Sequence, residues 1–93
     1  MNRKYIYIFD LDGTLSDGTH RLHLLPKKDL HLTESWTAFN MAAGDDAPIE
    51  DTIAVLNALS SGNRVIIILT GRSDEARSIT QKWLSDHGVQ YDY

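Results

Sequence analysis

The sequence predicts an α/β domain built on a parallel sheet, and three observations carry that expectation. Two apolar runs rich in β-branched and aromatic residues, Tyr5 to Phe9 and Val65 to Leu69, each stop at a polar turn. Segments with apolar residues at helical spacing lie between and after them. Strand, helix, strand, helix is the order from which parallel sheets are assembled, with right-handed crossovers and with ligands gathered at the carboxyl ends of the strands.

The first run reads as a buried strand that Asp10-Leu11-Asp12-Gly13 opens into a turn. Residues 15–46 are long for a plain connection, and Thr33-Glu34 followed by Trp36, Phe39 and Ala43 predicts one short helix there. This stretch is expected to form a small cap or lid over the rim. Asp46-Ala47-Pro48 then introduces a helix that places Ile49, Ile53, Leu56 and Leu59 on one side and stops before Gly62. Val65 to Leu69 has the continuous β-branched character of a strand covered on both faces, and Thr70-Gly71-Arg72 ends it. Ser73 is expected to cap a second helix with Asp74 and Glu75 in its first turn, Ile79 and Trp83 on one side, and Gly88 beyond its end. Val89 to Tyr93 begins a further strand.

Composition narrows the function. Ninety-three residues make one small domain, 42% apolar and 24% charged, as in an ordinary globular chain. The net charge is −4 and the basic residues are dispersed, so composition gives no support for an extended duplex-binding surface and leaves a phosphorylated end or small molecule open. There is no cysteine, which excludes disulfides, thiolate zinc sites and thiol nucleophiles and predicts a reducing compartment. The longest apolar run is too short to span a bilayer, and Met1-Asn2-Arg3-Lys4 leads into neither a signal peptide nor an anchor.

Asp10 and Asp12 lie two residues apart, so both carboxylates can point the same way where extended geometry persists. Such a pair repels when both are ionised, which favours a cation between them or a proton on one, and either outcome serves phosphoryl transfer. An Asp-x-Asp-Gly stretch also makes plain turns and helix caps. A calcium loop of the EF-hand type is ruled out, because Leu15 stands where glycine is needed and Arg21 where glutamate is needed. At the second turn, the Thr70 hydroxyl and nearby amides can hold phosphate oxygens, Gly71 allows close approach of backbone, and Arg72 offers a planar fork. His20 and His23, with no cysteine or carboxylate cluster beside them, read as lid or surface histidines rather than zinc ligands. Trp36, Phe39 and Trp83 either stack on a base or fill a core, and Lys27 and Lys28 read as solvated.

Phe9-Asp10-Leu11-Asp12-Gly13-Thr14-Leu15 resembles the first signature of the haloacid dehalogenase-like (HAD) phosphatase superfamily, and Ile66-Ile67-Ile68-Leu69-Thr70 resembles the second. The resemblance implies a Rossmannoid three-layer sandwich. It implies that Asp10 attacks phosphorus to form an aspartyl-phosphate, and that Asp12 protonates the leaving oxygen and then activates water. It also implies one Mg²⁺ bound by the Asp10 carboxylate and the Asp12 backbone carbonyl. Thr70-Gly71-Arg72, together with Arg21 eleven residues beyond Asp10, is similar to the 3′-phosphatase domain of phage polynucleotide kinase and its relatives. This narrower likeness implies that Arg21 and Arg72 hold the phosphate, with a solvated or surface-paired Arg21 as the alternative. It implies a polynucleotide 3′-phosphate end or a nucleotide as substrate, in the cytoplasm of a bacterium or phage-infected host.

The superfamily's third signature, a lysine, and its fourth, an acidic pair, are not matched by position in Lys82, Asp86 or Asp92. The resemblance thus covers the whole chain but roughly the first half to two-thirds of a family catalytic domain. Weak metal binding and weak or absent turnover are expected of these 93 residues alone. An apolar strand edge at Tyr5 to Phe9 is expected to be exposed, predicting a homo-oligomer or pairing through that edge. A non-catalytic remnant or interaction module, and phosphotransfer to an acceptor other than water, stand as the alternatives.

Overall fold

The computed structural model describes residues 5–93; Met1-Asn2-Arg3-Lys4, read above as neither signal nor anchor, lies outside the described residues. In chain order the elements are β1 (Tyr5–Asp10), β2 (Ser16–Asp17), α1 (Thr37–Met41), β3 (Ala47–Pro48), α2 (Glu50–Leu59), β4 (Arg64–Leu69) and α3 (Arg77–Asp86). Short 3₁₀ turns at Thr19–Leu24, Thr33–Trp36, Ala42–Asp45 and Asp74–Ala76 fill much of the rest.

β1 and β4 pair in parallel from Tyr5 beside Arg64 to Asp10 beside Leu69, so the two polar turns leave the sheet at the same end. Side-chain alternation then sorts the sheet into two faces. Tyr7, Phe9, Ile66 and Ile68 turn to one face and join a core with Ile53 and Leu56 of α2 and Trp83 and Leu84 of α3. Ile6, Ile8 and Leu69 turn to the other and remain 62%, 63% and 64% exposed. Among the described residues the protein therefore supplies the sheet and one helical layer of the three-layer sandwich. The β4 run reads in sequence as covered on both faces, yet only Ile66 is fully buried. The edge of β1 away from β4 carries no strand partner among the described residues.

Residues 15–46 leave the sheet and return beside their starting point. β2 and β3 pair antiparallel, Ser16 with Pro48 and Asp17 with Ala47, and close the base of the excursion. Its helical part is a 3₁₀ turn, the five residues of α1 and another 3₁₀ turn, where the sequence predicts one short helix. Pro48 lies in β3 rather than in the first turn of α2, which starts at Glu50.

Two further expectations are corrected. Ser73 precedes the 3₁₀ turn that leads into α3 but makes no capping bond, because its hydroxyl contacts Asn40 Nδ2 and Glu75 Oε1 instead. Residues 89–93 are not a regular strand. Asp92 and Tyr93 donate to the Ile66 carbonyl and Ile68 donates to Tyr93, but the Asp92 carboxylate takes the Ile66 N–H that a ladder would use. Among the described residues no helix is long and apolar enough to cross a membrane.

Candidate active site at the carboxyl rim

Gly13 makes the first turn possible. It sits at φ +81°, a region that side chains oppose, and donates to the Ser16 carbonyl at 2.8 Å while Leu15 and Ser16 donate to Leu11. Leu11 and Leu15 are fully buried, so the turn is anchored by apolar contacts on either side of Asp12. Asp10, the last residue of β1, is exposed, and its Oδ1 accepts the Leu11 N–H at 2.8 Å. None of the turn's backbone hydrogen bonds ends on the Asp12 carbonyl.

The Asp12 carboxylate is heavily engaged. Arg72 grips it as a fork, with Nη2 at 2.7 Å and Nε at 3.2 Å from Oδ1 and Nε at 3.3 Å from Oδ2. Arg21 Nη2 donates to Oδ1 at 2.8 Å, and the Thr70 hydroxyl donates to Oδ2 at 3.4 Å. The partial burial of Asp12 pushes its carboxyl up, but the hydrogen bond and charge of Arg72, with Arg21 adding to both, outweigh it. The carboxyl is held below its ordinary value of 3.8.

Arg21 is no surface residue. It is 1% exposed and wholly paired, with Asp46 on its Nε and Nη2 edge, the Phe39 carbonyl on Nη1 at 3.0 Å, and the Phe39 ring centroid 4.2 Å from Cζ. Burial alone would lower its pKa; the hydrogen bonds and charges of Asp46 and Asp12 reverse that, so the guanidinium stays cationic. Gly18 explains how it fits, since a Cβ there would stand 3.0 Å from both Nε and Nη2.

Sequence reasoning missed Asp46, read above only as the lead into a helix. Its buried carboxylate accepts from Arg21 Nε at 2.9 Å, Arg21 Nη2 at 3.0 Å and Arg72 Nη2 at 3.3 Å, and it meets His20 Nε2 at 2.8 Å. Its backbone carbonyl accepts the Trp83 indole N–H at 2.8 Å. No local pattern separates a carboxylate turned inward from an acid in the lead into a helix.

The remaining candidates divide clearly. Thr70 follows β4, and its Oγ1 also accepts the Arg72 N–H at 3.2 Å. Gly71 is exposed, with nothing within 4 Å of where a Cβ would sit. Trp83 is core, whereas Trp36 and Phe39 are half-buried and line a cleft of about 370 Å³ with Asp12, Asn40, Gly71 and Arg72. His23, Lys27 and Lys28 are exposed. No group of three or more His, Cys, Asp or Glu side chains suited to a metal occurs among the described residues. An Asp10 carboxylate oxygen and the Asp12 carbonyl are nevertheless hard oxygen donors open at one turn. That sparse set fits Mg²⁺, which keeps several waters and takes other ligands from substrate phosphates.

Both signature turns thus meet at one end of a parallel sheet, and a family model described as HAD superfamily, subfamily IIIB (acid phosphatase), matches residues 1–93. The chain belongs to this family. Phosphatases of the HAD superfamily generally use Mg²⁺. Among solved structures, a chain of the Pnkp1/Rnl/Hen1 complex is similar, with 27% identity and a TM-score of 0.66. The match covers 96% of this chain and 26% of that one, so the chain spans about a quarter of the length of its solved relative. No curated protein matches.

Proposed function

We propose that this HAD-family chain carries the nucleophile half of a Mg²⁺-dependent phosphomonoesterase working through an aspartyl-phosphate. The observation that carries this reading is the convergence of Arg21, from the excursion, and of Thr70 and Arg72, from the turn after β4, on one carboxylate two residues from Asp10. Three donors focused on one anion are what a transferring phosphoryl group needs.

In the proposed reaction an Asp10 carboxylate oxygen forms a bond to phosphorus as the ester oxygen leaves, taking a proton from Asp12. Asp12, now a carboxylate, removes a proton from water, whose oxygen attacks phosphorus and releases Asp10 and inorganic phosphate. Before the first step Asp12 must leave the arginines and gain its proton. An incoming phosphate that takes over Arg72 and Arg21 removes the contacts that hold the Asp12 carboxyl low. The Asp10 carboxylate and Asp12 carbonyl would hold Mg²⁺, which when bound offsets repulsion between the anionic nucleophile and the anionic ester.

The half-buried Trp36 and Phe39 beside Arg72 support a leaving group with a flat apolar face, a nucleotide or polynucleotide 3′ end. The residue 15–46 excursion would then act as the cap. The test is phosphate release from p-nitrophenyl phosphate, a nucleoside 3′-monophosphate and a 3′-phosphorylated oligonucleotide, with Mg²⁺ and with chelator. Slow release that needs Mg²⁺ and is lost in Asp10→Asn is expected, in keeping with a site that carries only the nucleophile half. Release indifferent to that substitution would sink the nucleophile assignment. Release by the wild-type chain at ordinary enzymatic rates would sink the non-catalytic alternative, and transfer to an added alcohol at the expense of free phosphate would identify a phosphotransferase.

A further inference from the structure

We propose that Asp46 is a positioning residue, whose buried carboxylate fastens Arg21 and Arg72 side by side so that one phosphoryl anion meets both guanidinium groups. The inference rests on the phosphatase reading above and adds to it the residue that builds the anion seat.

Two guanidinium groups share two carboxylates at the rim. The Nη2 atoms of Arg21 and Arg72 both donate to Asp46 Oδ2, at 3.0 and 3.3 Å, and both donate to Asp12 Oδ1, at 2.8 and 2.7 Å. The inner carboxylate, Asp46, is 0% exposed and the outer, Asp12, is 43% exposed. The outer anion is therefore the exchangeable one. Without the inner anion, two almost fully buried cations would face each other and repel. Asp46 is itself held in place, because its carbonyl receives the Trp83 indole N–H and its amide donates to Ala43. The chain of support runs from the core, through Asp46, to the two arginines, and ends on the anion.

Charge and position make opposite forecasts, so the idea can be broken. If Asp46 merely neutralised the arginines, removing its charge would strengthen anion binding. If it positions them, removal would weaken binding, since an amide offers the two Nη2 groups one acceptor and a competing donor. The experiment titrates inorganic phosphate into the 93-residue chain by calorimetry, for wild type and Asp46→Asn, with the Trp83 indole NMR signal reporting that the core is intact. Affinity roughly tenfold to a hundredfold weaker in Asp46→Asn, with the core signal retained, is expected. Equal or tighter binding with an intact core would overturn the positioning role and leave the phosphatase reading standing. A wild-type chain that binds no phosphate would overturn both.

Should Asp46→Asn fail to fold, the wild type alone still decides the matter through its arginine Nε–H resonances at saturating phosphate. Arg21 is expected to keep its exchange protection while Arg72 shifts. Loss of Arg21 protection on phosphate binding would show that Asp46 does not hold the pair.

Discussion

The two halves of the rim, only two residues apart in sequence at their closest, are built on opposite principles. Around Asp12 every guanidinium edge has a partner, and Arg21, Asp46 and Ser16 are buried with their polar atoms satisfied. Around Asp10 the carboxylate is exposed, and its Oδ1 accepts the N–H of the next residue, Leu11. The contrast teaches where preorganisation is needed. On the proposed reading, an anion seat must hold like charges together and so must be locked by the core, whereas a nucleophile that would share an oxygen with metal and phosphorus must stay accessible.

The locked half should respond to substitution through stability. Arg21→Ala leaves Asp46 buried beside a lost cation, and a cost of about 3 to 5 kcal/mol is expected in urea unfolding. A small domain holds only about 5 to 15 kcal/mol in all, so this change should bring the chain near unfolding. Gly18→Ala is next. Its methyl must displace a guanidinium that has nowhere to go, for an expected loss of about 1 to 3 kcal/mol, and a neutral result would mean that Arg21 is less firmly seated than its contacts imply.

Acid sharpens the comparison further. The folded-state carboxyl of Asp12 lies below its ordinary 3.8, so its stabilising contribution is complete above that value and is lost as pH falls through the folded one. Asp17, lowered chiefly by the Thr19 backbone N–H, adds to the same acid limb. Thermal melts from pH 5 down to pH 2 should therefore fall less steeply for Asp12→Asn than for wild type. The smallest effect belongs outside the rim: Lys82 and Asp86 form an exposed pair one helical turn apart, and Lys82→Ala should cost less than about 0.5 kcal/mol.

Much of this contrast was legible in the sequence, and the exceptions share a cause. The β-branched runs located both central strands, and the signature residues brought Asp10, Asp12, Thr70 and Arg72 to one rim. Arg21 was found only through its spacing from Asp10; that it is buried depends on Asp46, twenty-five residues away in sequence. Asp46, Ser16 and Asn40 carry no local mark of burial, because polar residues in a long excursion read as solvated until tertiary contacts turn them inward. The same holds for residues 89–93, where one side chain, Asp92, takes the place of a ladder bond.

The most direct test of the open half is to trap the phosphoryl group on the chain. After incubation with a ³²P-labelled phosphomonoester and Mg²⁺ and an acid quench, the account predicts a hydroxylamine-labile label that peptide mapping locates at Asp10 and that Asp10→Asn abolishes. A label at another residue, or phosphate released by an Asp10→Asn chain as fast as by the wild type, would contradict it.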